Sequence, residues 1–480
     1  MYPRSRPTDR PAERGQKERA MPTIRRITLL GVVAVFVSPA IAGPGPDIAV
    51  CDIQSLTQYG RVGETGAGVV GLAFGTTHYN AGDAGVEFAS LPGTQHPVMT
   101  QNLYRRAVVE GHTRFEQIGQ SWVFNSYCPL QQSACAACQP DGICGPTLGA
   151  GCSTPHSAAN HAGQANLSAR GFVNPFTGSF PANLNSHAHA HDAVSHRIQV
   201  RDADLMMPAA DYYMESIVVA PDDAAAGNHL NNVAYRPVGV SGPNASGVFS
   251  FPGLGGTIQD TPALAAWDGA TRIALDPSPG VDGRLIIAYE VTPIGGGLHH
   301  YEYAIFNQNN DAAVGALTIP VDPCAAVTNT DFHAVANHPP VPDAPSYSNE
   351  PWAVDVSASA ITWATQTFAE NQNANAIRWG TMYNFRFDAA GPPTLVTATI
   401  GMFKTGALAD VAIMAPGRPA GLAADINADC NFDAADTAIL VDVLIGIDTD
   451  PGHVDRADLD ANGLNDARDI PVFVAEWLAD

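Results

Sequence analysis

Two acidic segments near the end of the chain repeat one pattern of oxygen-bearing side chains, and this pattern constrains the local fold most tightly. The oxygen-bearing positions are Asp425, Asn427, Asp429, Asn431, Asp433 and Asp436 in the first segment and Asp458, Asp460, Asn462, Leu464, Asp466 and Asp469 in the second. They correspond to positions 1, 3, 5, 7, 9 and 12 of a calcium-binding loop, where position 7 ligates through its main-chain carbonyl. Calcium takes about 6–8 hard oxygen ligands, which this spacing wraps around one ion. The sequence therefore predicts two Ca²⁺ ions, one in each loop.

Each loop runs into a segment with apolar side chains at helical spacing. The two stripes are Ile439, Leu440, Val443 and Leu444, and then Ile470, Phe473, Val474, Trp477 and Leu478. We expect the stripes to pack on each other as a small core. A core of this size is marginal without help, so bound metal should supply folding energy. These features predict a small α-helical, calcium-binding domain at 424–480.

The two loop-helix repeats resemble a type I dockerin, an EF-hand-like module that docks enzymes onto cohesin-bearing scaffold proteins. The resemblance implies a cohesin-like partner, chosen by the two residues before loop position 12 in each repeat. These partner-binding residues are Ala434, Ala435, Ala467 and Arg468. The chain departs from the dockerin pattern at Cys430, where glycine with a positive φ is usual, and at Asn465, where a hydrophobic residue is usual. We therefore expect the first loop to bind calcium more weakly.

The beginning of the chain has the features of an export signal. Arg25 and Arg26 precede an apolar run at 27–37, and a small-x-small cleavage site follows at 40–42. The apolar run is shorter than the ~20 residues that a membrane-spanning helix needs. We predict a signal peptide with an N-terminal extension at 1–42, starting at Met1 or Met21, and a secreted or envelope-associated mature chain without a transmembrane segment.

The region between signal and tail is dominated by period-two alternation. In 377–387 the odd positions are mostly apolar and the even ones mostly polar, which predicts a half-buried antiparallel strand. Strands are also predicted at 115–124, 213–219, 284–291, 298–306, 358–368 and 394–402. The chain contains 45 Gly and 37 Pro residues, which suits short strands joined by turns. We predict a mainly β body at 43–405, built as one or two β-sandwiches, and a linker at 406–423.

Charge excludes two classes of partner. The formal net charge is −23, from 24 Lys and Arg against 47 Asp and Glu. Such a surface repels phosphate backbones and anionic lipid, so nucleic acid and membrane surfaces are not expected partners.

Five of the eight cysteines fall close together in a Gly- and Pro-rich segment: Cys128, Cys135, Cys138, Cys144 and Cys152. Export makes disulfides permissible, and the spacing lacks the second close pair of a zinc knuckle. We favour disulfides that staple a long loop over a metal site, with the pairing left open.

Motifs for common catalytic sites are absent from the body. The stretch containing His187, His189 and His191 is interpreted as a solvated loop rather than a transition-metal site. His299 and His300 are predicted to be cross-strand packing or polar-face residues. Glu302 is predicted to be a half-exposed strand carboxylate without a partner.

The body is similar to a family of secreted, dockerin-tailed proteins typical of planctomycetes and without an assigned activity. The matching segments are 96–105, 114–122, 222–232, 295–311 and 375–389. This resemblance implies export and a shared fold. Three functions stay open: a non-catalytic protein whose body binds glycan or matrix, a carbohydrate-active hydrolase with unidentified catalytic acids, and a calcium-dependent envelope structural protein.

Overall fold

The computed structural model describes residues 44–185 and 189–479. The predicted signal peptide at 1–42 and His187 lie outside these residues. The strands of the first half are β1 (Ile48–Val62), β2 (Val69–Asn80), β3 (Val86–Glu87), β4 (Val98–Val109), β5 (His112–Gln120), β6 (Val123–Asn125), β7 (Thr147–Leu148), β8 (Ser153–His156), β9 (Leu167–Ser168), β10 (Ile198–Arg201), β11 (Asp211–Val219) and β12 (Val233–Val238).

The strands of the second half are β13 (Thr271–Leu275), β14 (Leu285–Gly295), β15 (Leu298–Asn307), β16 (Val314–Pro320), β17 (Thr328–Ala334), β18 (Ala353–Val356), β19 (Ala360–Ala364), β20 (Thr381–Ala390), β21 (Pro393–Met402) and β22 (Leu408–Pro416). The α-helices are α1 (Ala158–Ala162), α2 (Asp202–Leu205), α3 (Pro221–Ala226), α4 (Ala434–Leu444), α5 (Pro451–Ala457) and α6 (Asp469–Ala479). Short 3₁₀ helices occupy Gln164–Asn166, Arg170–Phe172 and Ala263–Ala266.

The strands form four main antiparallel sheets. Sheet 1 has the order β1-β2-β10 with β8 also on β2, and sheet 2 has the order β12-β11-β4-β6-β9 with β5 also on β4. Sheet 3 has the order β13-β14-β15-β20-β17, and sheet 4 has the order β18-β19-β16-β21-β22. The small strands β3 and β7 pair with each other. The prediction of a mainly β chain is therefore confirmed.

Apolar cores lie between successive sheets. Side chains of sheets 1 and 2, such as Phe74 and Leu103, share one core, and those of sheets 3 and 4 share a second. A third core joins sheet 2 to sheet 3 through residues such as Phe115 and Phe306. Sheets 2 and 3 are therefore covered on both faces, so both faces of their strands are withdrawn from water.

The alternating segment at 377–387 illustrates the effect of this covering. Strand β20 begins at Thr381, later than predicted, because Gly380 adopts a positive φ of 68° immediately before it. Its apolar side chains, including Phe385, face the second core. Its polar side chains Asn384 and Arg386 are also buried, at 0% and 3% exposure. The prediction of a half-buried strand is wrong because sheet 2 covers the polar face.

An ionic network fills part of this interface between sheets 2 and 3. The Arg386 guanidinium donates through Nε to Glu302 Oε2 at 2.7 Å and through Nη2 to Glu116 Oε1 at 2.7 Å. Its Nη1 atom donates to Asp331 Oδ2 at 2.8 Å. Glu302 is 1% exposed, so the prediction of a half-exposed carboxylate without a partner is wrong. His300 belongs to the same buried polar face and contacts Asp388 at 2.6 Å.

The Glu116 carboxylate makes stability depend on pH. Burial raises its pKa, but the positive side chains of His333, Arg386 and Arg105 prevail and lower the pKa from 4.5 to about 2. A depressed folded-state pKa contributes stability above the unfolded-state pKa and loses it as the pH falls. Between pH 4.5 and 2, we expect the free energy of unfolding to fall more steeply than in Glu116→Gln, by up to about 1.4 kcal/mol per pH unit. Urea unfolding across this range tests it, and parallel profiles would contradict it.

The boundary predicted at the end of the body is wrong. Strand β22 (Leu408–Pro416) pairs with β21 along its whole length, from Leu408 opposite Gly401 to Pro416 opposite Pro393. Residues 408–416 therefore belong to sheet 4, and the connection to the tail shortens to 417–423. The alternating burial of β22, with Val411 and Ile413 in the second core, gives the physical reason.

The cysteines form four disulfides. The pairs are Cys51–Cys135, Cys128–Cys144, Cys138–Cys152 and Cys324–Cys430. The prediction that the five clustered cysteines form disulfides is confirmed, with Cys51 as the partner of Cys135. Within 44–185 and 189–479, no helix combines the length and apolar character needed to cross a bilayer.

The tail contains α4, α5 and α6 around a small core. Buried members of this core are Ala424, Ile426, Leu440, Val443, Ala457 and Phe473. The predicted packing of the two stripes is only partly correct. Phe473 of α6 stacks edge-on against Phe432 of the first loop, with ring centroids 5.0 Å apart. Ile470, Val474, Trp477 and Leu478 remain 44–80% exposed.

Candidate functional site

The first acidic loop is organised by two buried carboxylates at its ends. Asp425 is fully buried and accepts hydrogen bonds from the backbone N–H of Asp429 and Cys430 at 3.2 and 3.1 Å. Asp436 is also fully buried and accepts from Ile426 at 2.7 Å. These bonds close the loop on itself. Asp433 caps α4 through a bond from the Ala435 N–H at 2.7 Å, so the loop leads directly into the helix.

The second loop has the same design. Carboxylate oxygens of Asp458, Asp460 and Asp469 lie within 4.8 Å of one another. Asp458 accepts from the Gly463 N–H at 2.7 Å, and the buried Asp469 accepts from the Asp466 N–H at 2.8 Å. The donor set consists of hard oxygens in a closed loop, so the residues present fit calcium.

Cys430 adopts a φ of 68° at the position where the resemblance expects glycine. Its side chain leaves the loop and bonds to Cys324 in the body. The substitution thus keeps the left-handed turn, at a cost of about 1–2 kcal/mol relative to glycine. It also fixes the first loop covalently to the body.

The predicted partner-binding residues lie on the tail surface. Ala434, Ala435, Ala467 and Arg468 are all exposed. The exposed apolar side chains of α6 lie on the same domain.

A cleft in the body is the second candidate site, and no sequence motif predicts it. Its cavity volume is about 60 Å³, and it is lined by residues from distant parts of the chain. Its aromatic and cationic lining residues are Trp122, Arg170, Tyr347, Arg378, Trp379 and Lys404. Asp311 is the single carboxylate among the described lining residues, and it pairs with Lys404 at 2.8 Å.

Aromatic rings hold the cations of the cleft. The Arg378 guanidinium lies 3.6 Å from the centre of the Tyr347 ring, and Arg170 lies 5.9 Å from that of Trp379. Arg170 Nε donates to the Ser121 carbonyl at 2.6 Å. Burial lowers the pKa of Arg170 to about 9, so it stays charged at neutral pH. The cleft therefore combines aromatic and cationic side chains on an otherwise acidic chain.

The histidine-rich stretch is also more ordered than predicted. His189 and His191 are half-buried and converge with His196, which was not among the predicted candidate ligands. The interpretation as a solvated loop is wrong for these two residues, because Asp192 folds the loop back through a bond from the Ser195 N–H at 2.7 Å.

No known protein-family model matches the chain, and a comparison with curated proteins finds no match.

Proposed function

We propose that this chain is an exported, non-catalytic binding protein. Its β body holds a glycan that carries acidic groups, and its calcium-loaded tail attaches the body to a cohesin-like partner. The observation that carries the proposal is the cleft, where the side chains of Trp122 and Tyr347 lie beside three cationic side chains. Aromatic side chains pack against the apolar parts of sugars, and cationic groups attract carboxylates.

Export is supported by the disulfides and by the acidic surface. Four disulfides suit a chain that resides in an oxidising compartment.

The acidic surface repels acidic polysaccharides everywhere except at the cationic cleft, which would direct them to one place.

Hydrolysis is disfavoured by the same lining. Glycosidases of the usual kind need two carboxyl groups, about 5–10 Å apart, at the scissile bond. The described lining of the cleft offers only Asp311, and its oxygen already pairs with Lys404. We therefore expect binding without the release of new reducing ends.

The test measures retention of the full mature chain on an acidic polysaccharide, polygalacturonate, and on a neutral one, unsubstituted xylan. We expect saturable retention on polygalacturonate that falls about fivefold in Tyr347→Ala and in Lys404→Ala, equivalent to the loss of about 1 kcal/mol. Tyr59→Ala is the matched control, since Tyr59 also carries an arginine, Arg197, over its ring, at 5.5 Å. Equal retention by all variants, or none by the unaltered chain, would contradict the proposal.

A further inference from the structure

Three histidines of one loop converge next to Trp122. Each of His189, His191 and His196 offers a ring nitrogen, and these three atoms lie within 4.8 Å of one another. The Nε2 atoms of His189 and His196 are 3.1 Å apart. In a tetrahedral zinc site with Zn–N bonds of 2.0–2.1 Å, two ligand nitrogens stand about 3.3 Å apart. Two of the three nitrogens therefore already have nearly the spacing of ligands to one ion.

The tautomer of His196 is set by a neighbour outside the loop. Its Nδ1 atom lies 3.2 Å from the carbonyl oxygen of Gln164. A carbonyl can only accept, so in the neutral ring Nδ1 carries the proton and Nε2 presents its lone pair towards His189. Metal-bound histidines almost always donate their second ring N–H to a carbonyl or carboxylate in this way.

The orientation of the His196 ring is fixed on its other side as well. The ring stacks on Trp122 with centroids 3.6 Å apart and an interplanar angle of 7°. Its backbone has a φ of 66°, which is uncommon for a residue with a side chain. The conformation is held by the Trp122 N–H, which donates to the His196 carbonyl at 2.8 Å. A strained, fixed histidine points to a functional role, because such strain persists only where the surroundings impose it.

The loop between the histidines is folded by Asp192. Its Oδ1 atom accepts from the Val194 N–H at 2.9 Å and from the hydroxyl and N–H of Ser195 at 2.7 Å each. This tight turn brings His191 back to His196, with ring centroids 4.7 Å apart.

We propose that His189, His191 and His196 bind one divalent transition-metal ion, with Zn²⁺ as the expected occupant. Imidazole nitrogens suit zinc, copper and nickel, whereas the oxygen-rich loops of the tail suit calcium. Trp122 also lines the cleft, so the ion lies one side chain away from it. The site does not depend on glycan binding.

The test uses the full mature chain without an affinity tag, stripped with EDTA and then saturated with Ca²⁺ to fill the tail loops. Calorimetric titration with Zn²⁺ is expected to show one ion per chain. His189→Gln and His191→Gln are suitable variants because both side chains are half-buried, so folding should survive. Each should weaken Zn²⁺ binding by at least the roughly 10–100-fold that loss of a supporting residue costs at a metal site. His299→Gln, outside the cluster, is the control and should bind as the unaltered chain does.

A spectroscopic readout separates metal binding from a purely structural role. Co²⁺ in place of Zn²⁺ should give the absorption of a site with nitrogen ligands, and the signal should disappear in the His189→Gln, His191→Gln double variant. The proposal is overturned if the calcium-saturated chain binds no Zn²⁺ saturably. It is equally overturned if the double variant retains binding, or if the variants change only thermal stability.

Discussion

Replacing Arg386 with methionine is expected to lower the free energy of unfolding by about 3–5 kcal/mol, the usual cost of removing one partner from a buried ion pair. Glu302 and Glu116, 1% and 4% exposed, would each lose the guanidinium and remain as buried carboxylates. Their attraction raises the pKa of Arg386 above its ordinary value even though burial lowers it. The positive charge of Arg386 therefore stabilises the interface between sheets 2 and 3.

Urea unfolding followed by tryptophan fluorescence measures this loss. The matched control is Arg284→Met, which removes a two-bonded pair with Asp276 at 2.8 Å that is partly open to water. Exposed pairs contribute about 0–1 kcal/mol, so the control should stay close to the unaltered chain. A similar loss of unfolding free energy in both variants would mean that the buried network contributes no more to stability than the exposed ion pair.

Removing calcium is expected to unfold the tail while the body stays folded. The tail core has few buried side chains, and at about 1,000 times its Kd each ion adds about 4 kcal/mol to stability. The buried Asp436 and Asp469 would each face the oxygens of their own loop without a cation once the ion leaves. EGTA should therefore make 431–479 sensitive to protease and leave the β body resistant.

In calcium, the tail of the Asp436→Asn, Asp469→Asn double variant should be as sensitive to protease as the tail of the unaltered chain is in EGTA. Asparagine keeps an oxygen but lacks the charge. Asp455→Asn, an exposed carboxylate of α5 outside both loops, is the control and should keep the calcium response. Calcium-dependent folding would be refuted if the tail were as resistant to protease in EGTA as it is in calcium.

Local patterns predicted the strands well, since alternation reports on the pleat of each strand directly. Alternation does not report what covers the polar face. Arg386 and Glu302 look like solvated side chains in sequence, and only the stacking of sheet 2 on sheet 3 buries them together. The end of the body was also misplaced at 405, although β22 carries the same alternation, with Val411 and Ile413 in the second core.

The candidate sites also differ in whether a local sequence pattern can predict them. The two acidic loops are contiguous in sequence, so spacing alone predicts which of their residues would bind calcium. The cleft brings Trp122 together with Tyr347 and Lys404, which no local pattern connects. His196 could have been suspected from its nearness to His189 and His191, but its role depends on Gln164 and Trp122. The partner of Cys430 was equally hidden, although a cysteine in place of the loop glycine was a signal in itself.

The bond between Cys324 and Cys430 closes a covalent ring over a sequence separation of 106 residues. Strands β17 to β22 and the connection at 417–423 all lie inside that ring. When a partner pulls on α6, tension runs from residue 431 through the sulfur atoms into Cys324 and bypasses every residue between them. Mechanical load can therefore draw out the end of the tail, but it cannot extend the stretch of chain that carries β17 to β22.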